Sequence, residues 1–247
     1  MRALIRSELS KLRSTRTTLG LFAAMTGLVV LAVVLHSLLP ADQLAKRPSQ
    51  LMVLGRGEFL GALFGALLGA LSVTTEFRHG TIRPTLLVTP RRPRVVAAKV
   101  AASVVFGTVF GVAAGAAGVL VGVAAFGARG IDLALDGGDY ALLVAGSAAA
   151  GALWAGIGVG LGALVRQQVP TVVGICAWLL FVEGLLVGDL VGIGDVSKFL
   201  PGSAAAAISG QEPGTLLGPV AGLALLFGYV VVSAAAGTFA FDRRDIG

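Results

Sequence analysis

Thr17-Thr18-Leu19-Gly20-Leu21-Phe22-Ala23-Ala24-Met25-Thr26-Gly27-Leu28-Val29-Val30-Leu31-Ala32-Val33-Val34-Leu35-His36-Ser37-Leu38-Leu39 contains no Asp, Glu, Lys or Arg. A hydrocarbon layer ~30 Å thick needs about 20 apolar residues in a helix, and this run supplies them. Five further runs meet the same requirement, at residues 58–75, 95–126, 140–165, 169–188 and 214–241. None alternates at period two in short blocks, which argues against a membrane barrel. The whole chain agrees with its segments: 247 residues, 56% hydrophobic, 13% charged, mean hydropathy +0.91. Its charged share is about half that of an average soluble domain, too little to cover so much apolar surface in water. Disorder is excluded for the opposite reason, since disordered chains lack apolar residues to bury. The sequence predicts an all-α membrane protein, one domain of six spans over residues 1–247. The third and last spans are longer than needed and should tilt, kink or project.

The first span is too long for a signal-peptide core and lacks a small-x-small cleavage site, so it reads as retained. Six spans put both termini on one side. Of the nineteen Lys and Arg residues, fourteen fall on that side, in the N-terminal tail, the loop after span two, Arg166 and the C-terminal pair Arg243 and Arg244. Lys46, Arg47, Arg56, Arg129 and Lys198 fall on the other, with Asp42, Glu58, Asp132, Asp136, Asp139, Asp189, Asp195 and Glu212. The positive-inside rule therefore places both termini in the cytoplasm. The net charge of +6 records topology, and does not point to nucleic acid as a partner. Arg outnumbers Lys fifteen to four, a bias that fits a GC-rich bacterial genome.

Residues 1–16 place Leu4, Ile5, Leu9 and Leu12 at helical spacing among Arg6, Glu8, Lys11 and Arg13. That pattern predicts an amphipathic helix on the inner leaflet, or an ordinary basic flank anchoring span one. Glycines recur every four residues in Gly61-Gly65-Gly69, Gly107-Gly111-Gly115, Gly156-Gly160, Gly158-Gly162, Gly184-Gly188-Gly192 and Gly214-Gly218-Gly222. Such spacing lets helix backbones approach closely, although with 36 glycines several repeats arise by chance.

Catalytic chemistry is hard to find. A phosphate-binding loop needs Gly before its Lys, whereas Lys11, Lys46, Lys99 and Lys198 follow Ser10, Ala45, Ala98 and Ser197. Ser147 has no histidine in spans four to six to act as its base. The single cysteine, Cys176, and the two distant histidines, His36 and His79, offer no metal-ligand spacing. The chain is therefore expected not to be an enzyme, and to hold neither metal nor cofactor. His36 reads as an interfacial side chain near the outer end of span one. Glu183, in Phe181-Val182-Glu183-Gly184, is the intramembrane charge of interest, facing either a cavity or the outer interface by snorkelling.

The stretch after span two reads Glu76-Phe77-Arg78-His79-Gly80-Thr81-Ile82-Arg83-Pro84-Thr85-Leu86-Leu87-Val88-Thr89-Pro90-Arg91-Arg92-Pro93-Arg94, leading to Lys99. Gly80 should break span two and Thr81 cap a short new helix. Ile82 and Leu86 fall four apart on one face, and Pro90 and Pro93 end the helix. A short, basic, amphipathic helix parallel to the membrane has a shape suited to a groove on a soluble partner.

The same residues carry a likeness. The chain resembles an ABC-2 type permease, the membrane subunit of a bacterial ABC exporter. That family has Glu at the end of span two, then Gly-Thr-Ile or Gly-Thr-Leu, apolar residues, Pro, a basic pair and a downstream Lys. Those positions are Glu76, Gly80, Thr81, Ile82, Leu86, Leu87, Pro90, Arg92 and Lys99 here, with Pro84 and Pro93 as departures. Glu8-Leu9-Ser10-Lys11-Leu12-Arg13-Ser14-Thr15-Arg16 is similar to the segment entering span one, and Phe241-Asp242-Arg243-Arg244-Asp245 to the usual ending. The region around Leu200-Pro201 fits the outer loop, where the family has short re-entrant helices.

The resemblance implies a half-transporter in the bacterial plasma membrane. A second six-span permease, identical or not, would complete the pathway, and separate ATPase subunits would supply ATP and Mg. Glu76 and a coupling helix over 80–87, including Arg83, would transmit their motion. Arg91, Arg92 and Arg94 would fix the loop against lipid phosphates or the ATPase. Export is implied, and large apolar side chains such as Trp154, Trp178, Phe181 and Phe227 suit a hydrophobic small molecule, peptide or lipid. A membrane anchor or scaffold, and a carrier working without ATP, remain the alternatives.

Overall fold

A computed structural model describes residues 1–89, 91–187, 194–211 and 214–243. Pro90, Gly188, Asp189, Gly192, Glu212, Arg244 and Asp245, all named above, lie outside the described residues. The chain opens with α1 (Arg2–Ser14), which is followed after Thr15 by the first long helix, α2 (Arg16–Ser37). Two short helices, α3 (Ala41–Leu44) and α4 (Arg47–Leu54), lead to α5 (Arg56–Arg78), and a seven-residue helix, α6 (Ile82–Val88), precedes α7 (Arg92–Ala128). Next come α8 (Gly137–Val165) and α9 (Gln168–Ala177), the latter continuing through a π-helical turn (Trp178–Val182) into α10 (Glu183–Val187). A 3-10 segment (Gly194–Phe199), α11 (Pro201–Ile208) and α12 (Pro219–Arg243) complete the order. The described residues contain no strand.

Six helices are long and apolar enough to cross a membrane: Arg16–Ser37, Arg47–Arg78, Arg92–Ala128, Gly137–Val165, Gln168–Leu185 and Pro219–Phe241. The predicted spans overlap these with shifted ends, the first run stopping at Ser37 and the fifth at Leu185. The second run extends back through α4, joined to α5 at Gly55. The sixth begins at Pro219, not at residue 214, because Gly214 takes a left-handed conformation (φ 98°) that ends any helical continuation there.

Burial separates a centre from a rim. In the second run 72% of the most apolar window is buried, against 22% in the first, fifth and sixth. The centre is α5, α7 and α8. These three approach backbone to backbone: a Cβ added at Gly69 would stand 2.0 Å from the Ala155 carbonyl oxygen, and one at Gly111 2.0 Å from that of Ser147. Only glycine permits such contact, so the four-residue repeats of α5 and α7 are packing seams. By contrast, Gly184, Gly214 and Gly218 face open space and belong to the repeats expected by chance. Large apolar residues of the rim, such as Leu31, Val109, Phe181 and Phe227, are exposed, as they would be against lipid. The six apolar helices and this surface are compatible with a multi-pass membrane protein.

The end of α12 packs against the end of α5. Phe241 of α12 stacks edge-on against Phe77 of α5 at 5.6 Å, and Arg166, which follows α8, lies over both rings at 5.4 and 5.3 Å. Arg166 is the only non-glycine residue with positive φ (62°) among those described. Its guanidinium also donates to the Ala240 carbonyl at 2.5 Å, so these contacts hold an otherwise disfavoured turn.

Candidate functional site

At the basic end three helices bring four charges together. Glu8 and Lys11 lie three apart on one face of α1, Glu76 stands in the last turn of α5, and Lys99 lies near the start of α7. Lys99 is the centre, only 2% exposed. Its ammonium donates to Glu8 Oε2 at 2.8 Å, Glu76 Oε1 at 2.9 Å and the Ser72 carbonyl at 3.0 Å. Lys11 donates to Glu8 Oε1 at 2.6 Å and Glu76 Oε1 at 2.8 Å. Two carboxylates and two ammoniums leave the cluster neutral, the condition under which charges persist out of water. Glu76 Oε2 is buried without a hydrogen-bond partner among the described residues.

The pairing moves the groups of α1 away from their ordinary protonation. Burial alone would raise the Glu8 carboxyl, but Lys99 and Lys11 together outweigh it and hold Glu8 below its ordinary 4.5. Burial would lower Lys11, and the hydrogen bonds and charges of Glu76 and Glu8 outweigh that, holding it above 10.5. At neutral pH the cluster is fully ionised on α1 and fastens α1 to α5 and α7.

From this clamp the chain runs into α6. Gly80 adopts positive φ (70°), which frees the backbone to leave α5. Thr81 occupies the N-cap position, but its hydroxyl makes no capping bond, contrary to expectation. Pro84 does not break the helix, because it sits in the first turn, where its missing N–H has no intrahelical partner to lose. Ile82 is 2% exposed and packs inward, Leu86 is half-buried, and Leu87 is 86% exposed. The residue available to a partner is therefore Leu87, flanked by exposed Arg83.

The basic trio divides in the same way. Arg92 donates to the Phe241 carbonyl oxygen and lies over the Phe241 ring at 5.7 Å, tying the start of α7 to the end of α12. Arg91 and Arg94 remain on the surface. In α1 the expected apolar face holds: Leu12 is buried, and Leu4, Ile5 and Leu9 are half-buried. That face packs chiefly on α7, so α1 is a docked part of the bundle.

Glu183 lies at the opposite end, apart from this cluster. It is buried and accepts from the backbone N–H groups of Gly202 at 2.6 Å and Ser203 at 2.9 Å, at the N-terminus of α11. Trp178 Nε1 donates to its other oxygen at 3.2 Å. Five residues separate the two, the repeat of the π-helical turn between them. Glu183 also lines a cleft of about 350 Å³ at this end, and it anchors α11, the short helix expected near Leu200-Pro201.

Several residues escaped sequence reasoning. Lys99 was read as one more basic residue after span two and through the family pattern, with no sign of its partners. Gln50, fully buried, donates to the carbonyls of Leu44 at 3.0 Å and Asp132 at 2.8 Å, and its Oε1 accepts from the Ala134 N–H at 2.9 Å. Glu58 is buried and accepts from Gln211 Nε2 at 3.0 Å. Trp154 and Trp178 line an apolar cleft of about 360 Å³ between α8, α9 and α12, whereas Phe181 and Phe227 point outward. Among the described residues no group of three His, Cys, Asp or Glu side chains converges as a metal site requires. No family model matches the chain, and no curated protein matches it either.

Proposed function

We propose that this chain is the membrane subunit of an ATP-driven exporter, of the ABC-2 permease type, lying in a bacterial plasma membrane with both termini in the cytoplasm. A separate ATPase binds ATP and Mg, and a second six-span subunit completes the pathway. The observation that carries the reading is α6: a short helix between spans two and three, turning Leu87 and Arg83 outward while Ile82 holds it to the bundle. The buried cluster of Glu8, Lys11, Glu76 and Lys99 supports it mechanically. A push on α6 reaches Glu76 directly, and through Lys99 reaches the third span and α1 together, so the elements move as one unit. The apolar cleft beside Trp154 and Trp178 supports a hydrophobic cargo.

Leu87→Asp tests the reading, with the P-loop ATPase encoded in a neighbouring reading frame as partner. Because Leu87 is exposed, membrane insertion and melting temperature should not change. Co-purification of the ATPase should fall about tenfold or more, as for an apolar anchor lost from a groove. Undiminished co-purification would sink this role for α6, and transport in vesicles without ATP would favour a carrier.

A further inference from the structure

Beside the charge cluster, α1, α2, α5 and α6 enclose a cleft of about 370 Å³. Its floor is apolar, built by Leu21, Leu68 and Leu71, where the first two spans approach the basic end. Its polar groups are short of partners. Thr18 is 6% exposed and Thr75 half-buried, yet neither hydroxyl has a hydrogen-bond partner among the described residues, and both residues line the cleft. Lys11, also on the cleft, uses two of its three N–H groups on Glu8 and Glu76, and its side chain is 44% exposed. Unused donors above a leucine floor call for a ligand rich in acceptors at one end and apolar at the other.

We propose that this cleft binds the phosphodiester headgroup of a membrane lipid from the leaflet on the basic side. The phosphate oxygens accept from Lys11 and from the hydroxyls of Thr18 and Thr75, and the first methylenes of the chains run over the leucines. The volume fits a headgroup with the start of its chains, since small-ligand sites span about 300–1,000 Å³. Glu8 and Glu76 line the cleft too, but each is paired with both Lys11 and the buried Lys99, so the four charges cancel and the phosphate is held by the remaining donors. A free phosphate would leave the leucine floor in contact with water, which is why the lipid is the occupant. Thr81 of α6 lines the same cleft, so the bound headgroup joins α6 to the first two spans. None of this rests on the transport reading, and it is measured without an ATPase.

The test uses the full chain, delipidated in detergent and titrated with dioleoyl phosphatidylglycerol under native mass spectrometry. The near-isosteric double variant Thr18→Val, Thr75→Val removes both hydroxyls and keeps the cluster. It should weaken retention of the tightest lipid about tenfold, the worth of two lost hydrogen bonds. Thr18→Ser should retain it as the parent chain does. Diolein, with the same chains and no phosphate, should bind at least about tenfold more weakly, since it offers no phosphate oxygen to these donors. Inorganic phosphate should not displace the lipid. Equal retention by the double variant, equal binding of diolein, or displacement by phosphate would each overturn the proposal. Thr75→Val alone carries the same comparison if the double variant does not fold, with about a threefold loss expected.

Discussion

At the basic end, α1, α5 and α7 are joined by four full charges, each supplied by a side chain. At the opposite end one ion pair, Arg47–Asp139, joins α4 to α8, and the other ties are made by side chains that reach the backbone. Gln50 spans Leu44, Asp132 and Ala134, Arg129 donates to the carbonyls of Ser37 and Leu39, and Glu183 caps α11. The two devices differ in what they fix. A side chain bonded to backbone groups sets the path of a loop, because the partner cannot rotate away. A cluster of charges sets which helices stay together, and each side chain in it keeps several rotatable bonds. The first suits a rigid cap over the bundle, and the second suits a joint that is strong but can shift as a unit.

Lys99→Met gives that contrast its largest test. It leaves two carboxylates beside the half-exposed Lys11 with the central ammonium gone. Breaking a buried ion pair from one side costs about 3–5 kcal/mol. The melting temperature should fall sharply, and amide exchange should accelerate in α1 and at the end of α5, with little change around Gln50. If α1 keeps its protection, the cluster is not what fastens it, and the mechanical role assigned to it fails.

The spans were legible because the requirement behind them is local: enough consecutive apolar residues to cross the layer. Errors arose where a tertiary contact overrode that local rule. Arg56 and Glu58 read as the edge of a loop, but Gln211 satisfies Glu58, and the helix continues back past Gly55 into α4. The charges of the candidate site were visible one at a time. Their pairing joins residues 8, 76 and 99, and no local pattern encodes which helices converge. Glu183 was the hardest to place, because its partners are the N–H groups of Gly202 and Ser203, and backbone donors leave no trace in residue type. For α6 the spacing of Ile82 and Leu86 found the helix and its apolar face, but periodicity alone does not say which side the bundle takes.

A smaller effect is expected from Gln50→Leu. The replacement is close in size, so packing survives, but two carbonyls and one N–H lose a partner in a fully buried setting. Buried polar groups left unpaired cost roughly 1–3 kcal/mol each, partly relieved by local shifts, for an expected net loss of about 2 kcal/mol. Exchange should accelerate at residues 41–54 and 131–135 and stay unchanged in α1, the mirror image of Lys99→Met. A variant that loosens both ends equally would show that they are one cooperative unit, and would remove the distinction between cap and joint.

The smallest effect, and the one that separates the two devices most cleanly, comes from pH. Glu8 is held below its ordinary 4.5, so its contribution is complete above that value and is lost as pH falls through the lower value of the folded state. Lys11 is held above its ordinary 10.5, so its contribution is complete below that value and is lost as pH rises through the higher one. The joint should therefore be at full strength from about 4.5 to about 10.5 and loosen outside that window. Gln50 carries no titratable group, so its bonds to Leu44, Asp132 and Ala134 should feel neither limit. Hydrogen exchange, corrected for its intrinsic pH dependence, should show protection in α1 dropping on acidification while the Ala134 N–H, held by Gln50, keeps its own. Loss of the Ala134 N–H protection together with that of α1 would place the acid-sensitive group elsewhere and would strip Glu8 of the role its geometry suggests.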